Sequence, residues 1–256
     1  MTLQTTEFFR THLAPLYRQL LTHPITKNYL SGTAIRYDGK VLVDADRFTF
    51  PFCTLSTLEL AHLFSIFNSS RVHVQAQHSH NADEAPPGLY VTVINTKAIQ
   101  VPHKNRSGIF VEETETVGLF IDGLHIDHFF LNKYLTPPML GTIAFTLCAM
   151  TAHRAGLKTI SLIAAGGKGF NRRHVGFKVW PKLGFDANLL PDEVKAIAHL
   201  QSCRTVQDVL QRDPAWWETN GSQRLMTFDL NAVPGTSWQK LLPYVRAKAN
   251  FGANHG

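Results

Sequence analysis

The chain predicts an α/β fold of the α+β kind: a mixed, mostly antiparallel central sheet with flanking helices and one βαβ crossover. Three observations predict it. "RVHVQAQ" (71–77) and "LYVTVIN" (89–95) alternate apolar and polar residues, the period of half-buried strands. A helix spaced from about Pro138 to Arg154 is apolar nearly all round, through Met139, Leu140, Ile143, Phe145, Leu147 and Met150, so it must be covered on several sides. It leads through Gly156, a helix-stop residue, into "KTISLIAA" (158–165), a short apolar run suited to a buried parallel strand. Strand, helix and strand with short joints make a crossover, and the repeated βα pattern of a doubly wound domain is absent.

The remaining elements follow in order. Apolar residues at Phe8, Phe9, Leu13, Leu16, Leu20 and Leu21 have helical spacing, with Pro15 as a break or kink. "TAIRYDGKVLVDADRFTF" predicts a hairpin, since Asp-Gly supplies the turn and "KVLVDA" the strand. "TLSTLELAHLFSIF" predicts a helix capped by Thr54 or Thr57. "SGIFVEETETVGLFIDGLHIDHFF" is long enough for two strands joined near Thr116 to Gly118. Between strands lie the polar loop "HSHNADEAPPG" and the basic loop "KAIQVPHKNRSG". "LPDEVKAIAHL" and "TVQDVLQRDPAWWE" predict helices, with Trp216 and Trp217 as an apolar lid on the core. "RLMTFDLN" predicts a late strand. One domain over 1–256 is expected, with a helical elaboration at 1–30 and a disordered tail from Ala247.

Composition narrows the classes. The chain has 256 residues, 44% apolar, enough for a substantial core, and no run of about 18 apolar residues that would span a membrane. Its N-terminus lacks a basic segment followed by an apolar run, so no conventional signal peptide is expected. Cys53, Cys148 and Cys203 are isolated and odd in number, which argues against a disulfide framework or zinc ribbon and for reduced thiols in a cytoplasmic setting. Export by a route that cleaves no signal is compatible with the same features. A net charge of +6 suits an anionic partner: nucleic acid, a nucleotide cofactor or an acidic surface.

Chemistry concentrates in three stretches. "DGLHIDH" supplies Asp122, His125, Asp127 and His128; at a period of two, His125 and Asp127 share a face with Phe129 and Leu131, and His128 takes the other. The second stretch is "TPPMLG", Thr136 to Gly141, at the start of the apolar helix. There backbone N–H groups face whatever anion approaches, and Gly141 alone is small enough for close approach. Pro137 and Pro138 remove two donors from it. The third is "GFNRRHVGFKVWPKLGF". With the preceding Lys168 it gathers Arg172, Arg173, Lys178 and Lys182 among Phe170, His174, Phe177 and Trp180, without an acid among them. Cations spaced by aromatics suit single-stranded RNA or the phosphates of a nucleotide cofactor. A metal site from His78, His80, His125 and His128 is a weak alternative, because no H-E-x-x-H helix or cysteine pair supports it; no metal is expected.

The order of elements and these stretches, over roughly the middle 110 residues, resemble the GNAT superfamily of acyl-CoA N-acyltransferases. In that family a strand runs into a pyrophosphate loop of pattern Q/R-x-x-G-x-G/A that opens a helix, and an aromatic-x-x-x-Gly-Phe motif follows. Here "TPPMLG" and "WPKLGF" stand at those places, with Thr136 for the Gln or Arg, Met139 for the first glycine and Trp180 for the usual tyrosine acid. The resemblance implies a GNAT-like fold with acetyl-CoA as acyl donor. Its strand should splay from the next one to admit the pantetheine arm. Phe129, Phe130 and Leu131 would offer backbone N–H groups to the acyl oxygen, and Thr136, Met139, Leu140, Gly141, Thr142, Asn171, Arg172 and Arg173 would hold the cofactor. Asp127 and His125 are the candidate bases, and Trp180 fills the acid's place without being able to deliver a proton. The implied reaction moves an acetyl group to an amine of an RNA-linked (tRNA), translation-related or protein substrate, a toxin or effector activity among its forms. The alternative is a catalytically degenerate module that binds nucleic acid or a protein partner.

Overall fold

The computed structural model describes residues 3–50, 53–77, 85–114, 118–171, 173–190, 192–231 and 236–249, with backbone alone at 111–114, 118–122 and 236. The expected disordered tail starts too early, because Ala247 and Lys248 are helical and Ala249 is buried; residues 250–256 lie outside the described residues.

The N-terminal segment forms a π-helical turn, Phe9–Leu13, continued by α1 (Ala14–Thr22) and α2 (Pro24–Tyr29). Pro15 sits in the first turn of α1, where a missing N–H costs little, so it does not break the rod. The Asp-Gly hairpin forms between β1 (Arg36–Tyr37) and β2 (Lys40–Val41), with Asp38 and Gly39 both at positive φ as such a two-residue turn requires. It is shorter than expected. The following residues leave the sheet to make a separate ribbon of β3 (Arg47–Thr49) and β4 (Thr54–Ser56).

The next helix, α3 (Thr57–Leu63), is capped by Ser56 and not by Thr54 or Thr57. Ser56 accepts from the Glu59 N–H while the Glu59 carboxylate accepts from the Ser56 N–H, a reciprocal box that satisfies two otherwise orphaned donors. Then come β5 (Arg71–Gln77), β6 (Gly88–Ile94), β7 (Asn105–Thr114), β8 (Gly118–His128), α4 (Leu140–Arg154), β9 (Thr159–Gly167) and α5 (Gly176–Lys182). The chain finishes with α6 (Val206–Arg212), α7 (Pro214–Asn220), β10 (Ser222–Asp229) and α8 (Thr236–Lys248).

Eight strands make one mixed sheet in the order β10-β9-β8-β7-β6-β5-β1-β2. Two neighbouring pairs are parallel: β8 with β9, the expected crossover through α4, and β1 with β5, a second one that the sequence pattern does not announce. One sheet face, carrying Val72, Val91, Val93, Leu124, Ile126, Ile160 and Leu162, joins the helices in a single core. At its centre is α4, which packs against α1, α2, α3 and α8; Phe145 of α4 meets Phe228 of β10 with ring centroids 5.4 Å apart. Each large apolar side chain buried there contributes about 1.5–3 kcal/mol. On the opposite face Arg71, His73 and Gln75 are exposed.

Two helix expectations change. Among the described residues of "LPDEVKAIAHL", the helical part is a 3₁₀ turn at Ala198–Leu200. The Glu193 carboxylate folds back onto the Leu190 N–H at 2.7 Å and pairs with Arg224, holding the segment as a strap over β10. The second helix splits at Asp213, which caps α7 by accepting from the Trp216 N–H. Trp217 is fully buried, its indole N–H donating to Phe177 O at 2.9 Å, so it does cover the core as expected.

Candidate functional site

β8 and β9 pair over four rungs, from Gly123 opposite Thr159 to Ile126 opposite Leu162, and then part. Both strands continue. β8 stays with β7, His128 opposite Arg106, and β9 stays with β10 as far as Gly167 opposite Ser222. The parting has a local cause. Between the rungs Ser107–Ile126 and Arg106–His128, β8 carries one residue more than β7, so Asp127 forms a bulge. A bulge bends its strand and increases the twist, which turns the end of β8 away from β9.

His125 lies one rung before the parting, buried at 2% exposure, with Nδ1 2.9 Å from Ser161 Oγ of β9. Burial, opposed by the negative charge of Asp127, pushes its pKa down to about 4, so the ring is neutral at neutral pH. Asp127 has a 4% exposed carboxylate that accepts from Arg106 and lies 3.0 Å from His128 Nδ1. Burial alone would raise its pKa. The hydrogen bonds from His128 and Arg106 and their charges outweigh that, and the carboxyl is held below its ordinary value. Arg106 is itself fixed, donating to Gln77 Oε1 at 2.6 Å and lying 3.9 Å over the Tyr90 ring. The flat Tyr90 ring fits because Gly108 stands opposite it; a Cβ there would sit 2.5 Å from the ring. His128 is not on a face away from Asp127, as strict alternation would have it, because the bulge breaks the period and sets the two side chains together.

Beyond the bulge, Phe129, Phe130 and Leu131 are half-buried and lie outside the strand. The Phe130 N–H already has an acceptor, Asn105 Oδ1 at 2.6 Å, and so faces no free oxygen. Thr136 caps a turn through its hydroxyl, which donates to Asn132 O at 2.8 Å. Met139, standing where the resembling family has glycine, has φ 74°, the left-handed region that glycine adopts without cost. Leu140 is buried. Gly141 and Thr142 are half-buried in the first turn of α4, which has no side-chain cap, and their N–H groups find no acceptor among the described residues. A Cβ on Gly141 would meet Leu131 Cδ1 at 3.0 Å and Phe129 Cε1 at 3.6 Å, so this helix start stands beside the end of β8.

Trp180 of α5 is half-buried, edge-on to Phe129, Phe145 and Phe185 at centroid distances of 5.8, 5.7 and 5.3 Å. Asn171 and Arg173 are exposed. Asn171 Oδ1 accepts from the Arg173 N–H in a local turn, and Arg172 lies outside the described residues. Lys182, expected without an acidic neighbour, pairs with Glu218 of α7 at 2.9 Å. His78 and His80 lie outside the described residues, Asp122 has only its backbone described, and no group of three or more metal-ligating side chains occurs among the described residues.

Arg106, Tyr90 and Ser161 complete the constellation; the sequence marks Arg106 only as a cation of the second basic loop, beside Lys104, and does not single out Tyr90 or Ser161. Arg106 lies not in a loop but in β7, half-buried opposite His128. Ser161, the hydroxyl inside "ISLIAA" on the face opposite Ile160 and Leu162, was a usable signal. A groove of ≈ 640 Å³ lies against the paired β1 and β5, lined by Arg36, Arg71, His73 and Asp38 among others. Its strands pair in register, β1 with β5, with no parting like that of β8 and β9.

No protein-family model matches the chain, and neither a curated protein nor a solved structure does. The architecture is that of an α/β protein whose mixed eight-stranded sheet is parted at one parallel seam. Among the described residues, no helix is long and apolar enough to cross a membrane.

Proposed function

We propose that the chain is a GNAT-like acetyltransferase that takes acetyl-CoA as donor and an amine as acceptor. The parted seam supports this reading most: pairing stops at Ile126 and Leu162, and the α4 start, with its open Gly141 and Thr142 amides, adjoins the end of β8. A diphosphate suits those amides and the positive end of the helix dipole, and a pantetheine arm suits the gap between the strands.

In the proposed step the amine nitrogen attacks the thioester carbonyl and forms the C–N bond, leaving a positively charged nitrogen that is more acidic than before. Neutral His125 accepts that proton; its low basicity fits a proton given up only after attack. The intermediate then collapses by breaking the C–S bond, and the thiolate leaves without an acid, which suits a Trp at position 180. Asp127 and Arg106 hold the bulge. RNA-linked amines, translation components and proteins are the acceptors to assay, with a toxin or effector role among the uses of such a reaction.

Isothermal titration with acetyl-CoA and with CoA tests the reading. Binding at submillimolar ligand that weakens when Gly141→Val fills the approach to α4 is expected; no heat at millimolar ligand rejects it. Met139 in place of glycine, the Trp180 indole and the engaged Asp127 carboxylate favour a second reading, a non-catalytic module that binds a nucleic acid or protein. Coenzyme binding with no transfer to any amine, and salt-sensitive RNA affinity lost on Arg173→Ala, would favour that one.

A further inference from the structure

Three segments meet at the outer end of the seam. The Asn132 N–H donates to Ala98 O at 2.9 Å, tying residues 97–104 to residues 129–142. The Phe130 ring stacks on His103 at 4.0 Å and meets the edge of His174 at 6.5 Å, which brings in residues 168–182. Together these segments contain eight Lys and Arg and no Asp or Glu. Lys97, Lys104, Lys133, Lys168 and Arg173 are exposed. Among the described residues Glu218, on another element, is the acid that pairs with any of the eight.

The same surface exposes large apolar side chains. Val101, Tyr134, Leu135, Phe170 and Val175 range from 48% exposed at Phe170 to 82% at Tyr134. Lys133 Nζ lies 4.9 Å over the Tyr134 ring, a cation and an amphipathic ring held at one level. Exposed apolar side chains on three segments that meet, among cations of which Lys182 is the one paired with an acid among the described residues, mark a docking surface.

Charge fixes the sign of the partner and the apolar chemistry chooses its class. A nucleic acid strand would meet the cations, but it offers bases that stack on aromatic faces, and Val101, Leu135 and Val175 have none. A bilayer of anionic lipid meets both: aliphatic and Tyr side chains enter the boundary between head groups and acyl chains while lysines stay over the phosphates. We propose that this surface docks the protein peripherally on an anionic lipid bilayer, with Val101, Tyr134, Leu135 and Phe170 inserted, so that the mouth of the seam faces the membrane. The docking does not depend on acyl transfer.

Co-sedimentation of the full chain with vesicles tests it. One vesicle set is phosphatidylcholine alone and the other phosphatidylcholine with phosphatidylglycerol. Binding to the anionic set, weakened by salt, is expected, and Tyr134→Ser with Leu135→Ser and Phe170→Ser should weaken it by roughly tenfold at an unchanged Tm. Lys133→Glu with Lys168→Glu should weaken it by at least as much. Absent or charge-independent vesicle binding overturns the proposal. So does vesicle binding that the triple serine variant retains in full, which would leave a purely electrostatic contact. Binding to single-stranded RNA without vesicle binding overturns it in favour of a nucleic-acid surface.

Discussion

His125 Nδ1 lies 2.9 Å from Ser161 Oγ across the third of the four rungs that join β8 to β9. One rung further on, the strands part. A polar tie thus sits inside the sheet one rung short of the parting that the Asp127 bulge causes, and the neutral imidazole is the form that the buried site accommodates.

That tie carries a pH dependence. The folded-state pKa of His125 is about 4 against an ordinary 6.5, so between these values the unfolded chain binds a proton that the folded chain does not. Stability is complete above pH 6.5, falls as pH drops toward 4, and levels off below it, by on the order of 3 kcal/mol at 1.36 kcal/mol per unit. Buried His62, also near 4, adds a slope of the same sign. His125→Gln is expected to reduce the Tm change between pH 4 and 6.5 in calorimetry, to which buried His62 and His153 also contribute, and an unchanged slope would show that His125 does not titrate as a buried group.

The Asp127–Arg106 pair gives a second expectation. Its side chains are 4% and 14% exposed, so removing the carboxylate leaves a desolvated guanidinium. Asp127→Leu should cost about 3 kcal/mol in a urea titration, and adding Arg106→Met should recover a good part of that loss. Simple addition of the two single costs would mean that the pair is not coupled.

Legibility in the sequence followed periodicity. The strands 71–77 and 89–95, the apolar helix and "KTISLIAA" all formed, because a two-residue or 3.6-residue repeat of apolar side chains fixes which face is buried. What failed was decided by contacts between segments distant in sequence. The strap at 192–197 depends on Glu193 reaching Arg224, and the His128–Asp127 contact depends on a bulge set by pairing with β7. One miss was readable: Trp238, Leu241, Leu242 and Val245 follow the i, i+3, i+4, i+7 pattern of α8 and are all buried. At the site, His125 and Gly141 stand out from the sequence alone, whereas Arg106 enters through its register opposite His128, which no local pattern reveals.

Trp180 fills the space between the end of β8 and α4. Trp180→Ala should cost about 3 kcal/mol, the low end for deleting a large aromatic because the ring is half-buried. Trp180→Phe keeps most of the contact with Phe129 and Phe145 and should cost about 1 kcal/mol. The midpoint of urea unfolding reads both. Equal costs for the two variants would mean that the ring does not pack as a wedge.

Met139 separates backbone strain from side-chain packing. Its φ of 74° is a conformation that costs a residue with a Cβ roughly 1 kcal/mol, whereas glycine adopts it freely. The Met139 side chain repays part of this by packing on the core. Met139→Ala keeps the strain and loses the packing; Met139→Gly loses the packing and relieves the strain, although a more flexible unfolded chain offsets some of that relief. Met139→Gly should therefore unfold at a higher urea concentration than Met139→Ala, with a stability difference of about 0.5–1 kcal/mol, the reverse of the order in a helix interior. An Ala variant as stable as the Gly variant, or more so, would mean that position 139 does not hold the left-handed turn that brings the Gly141 and Thr142 amides to the end of β8.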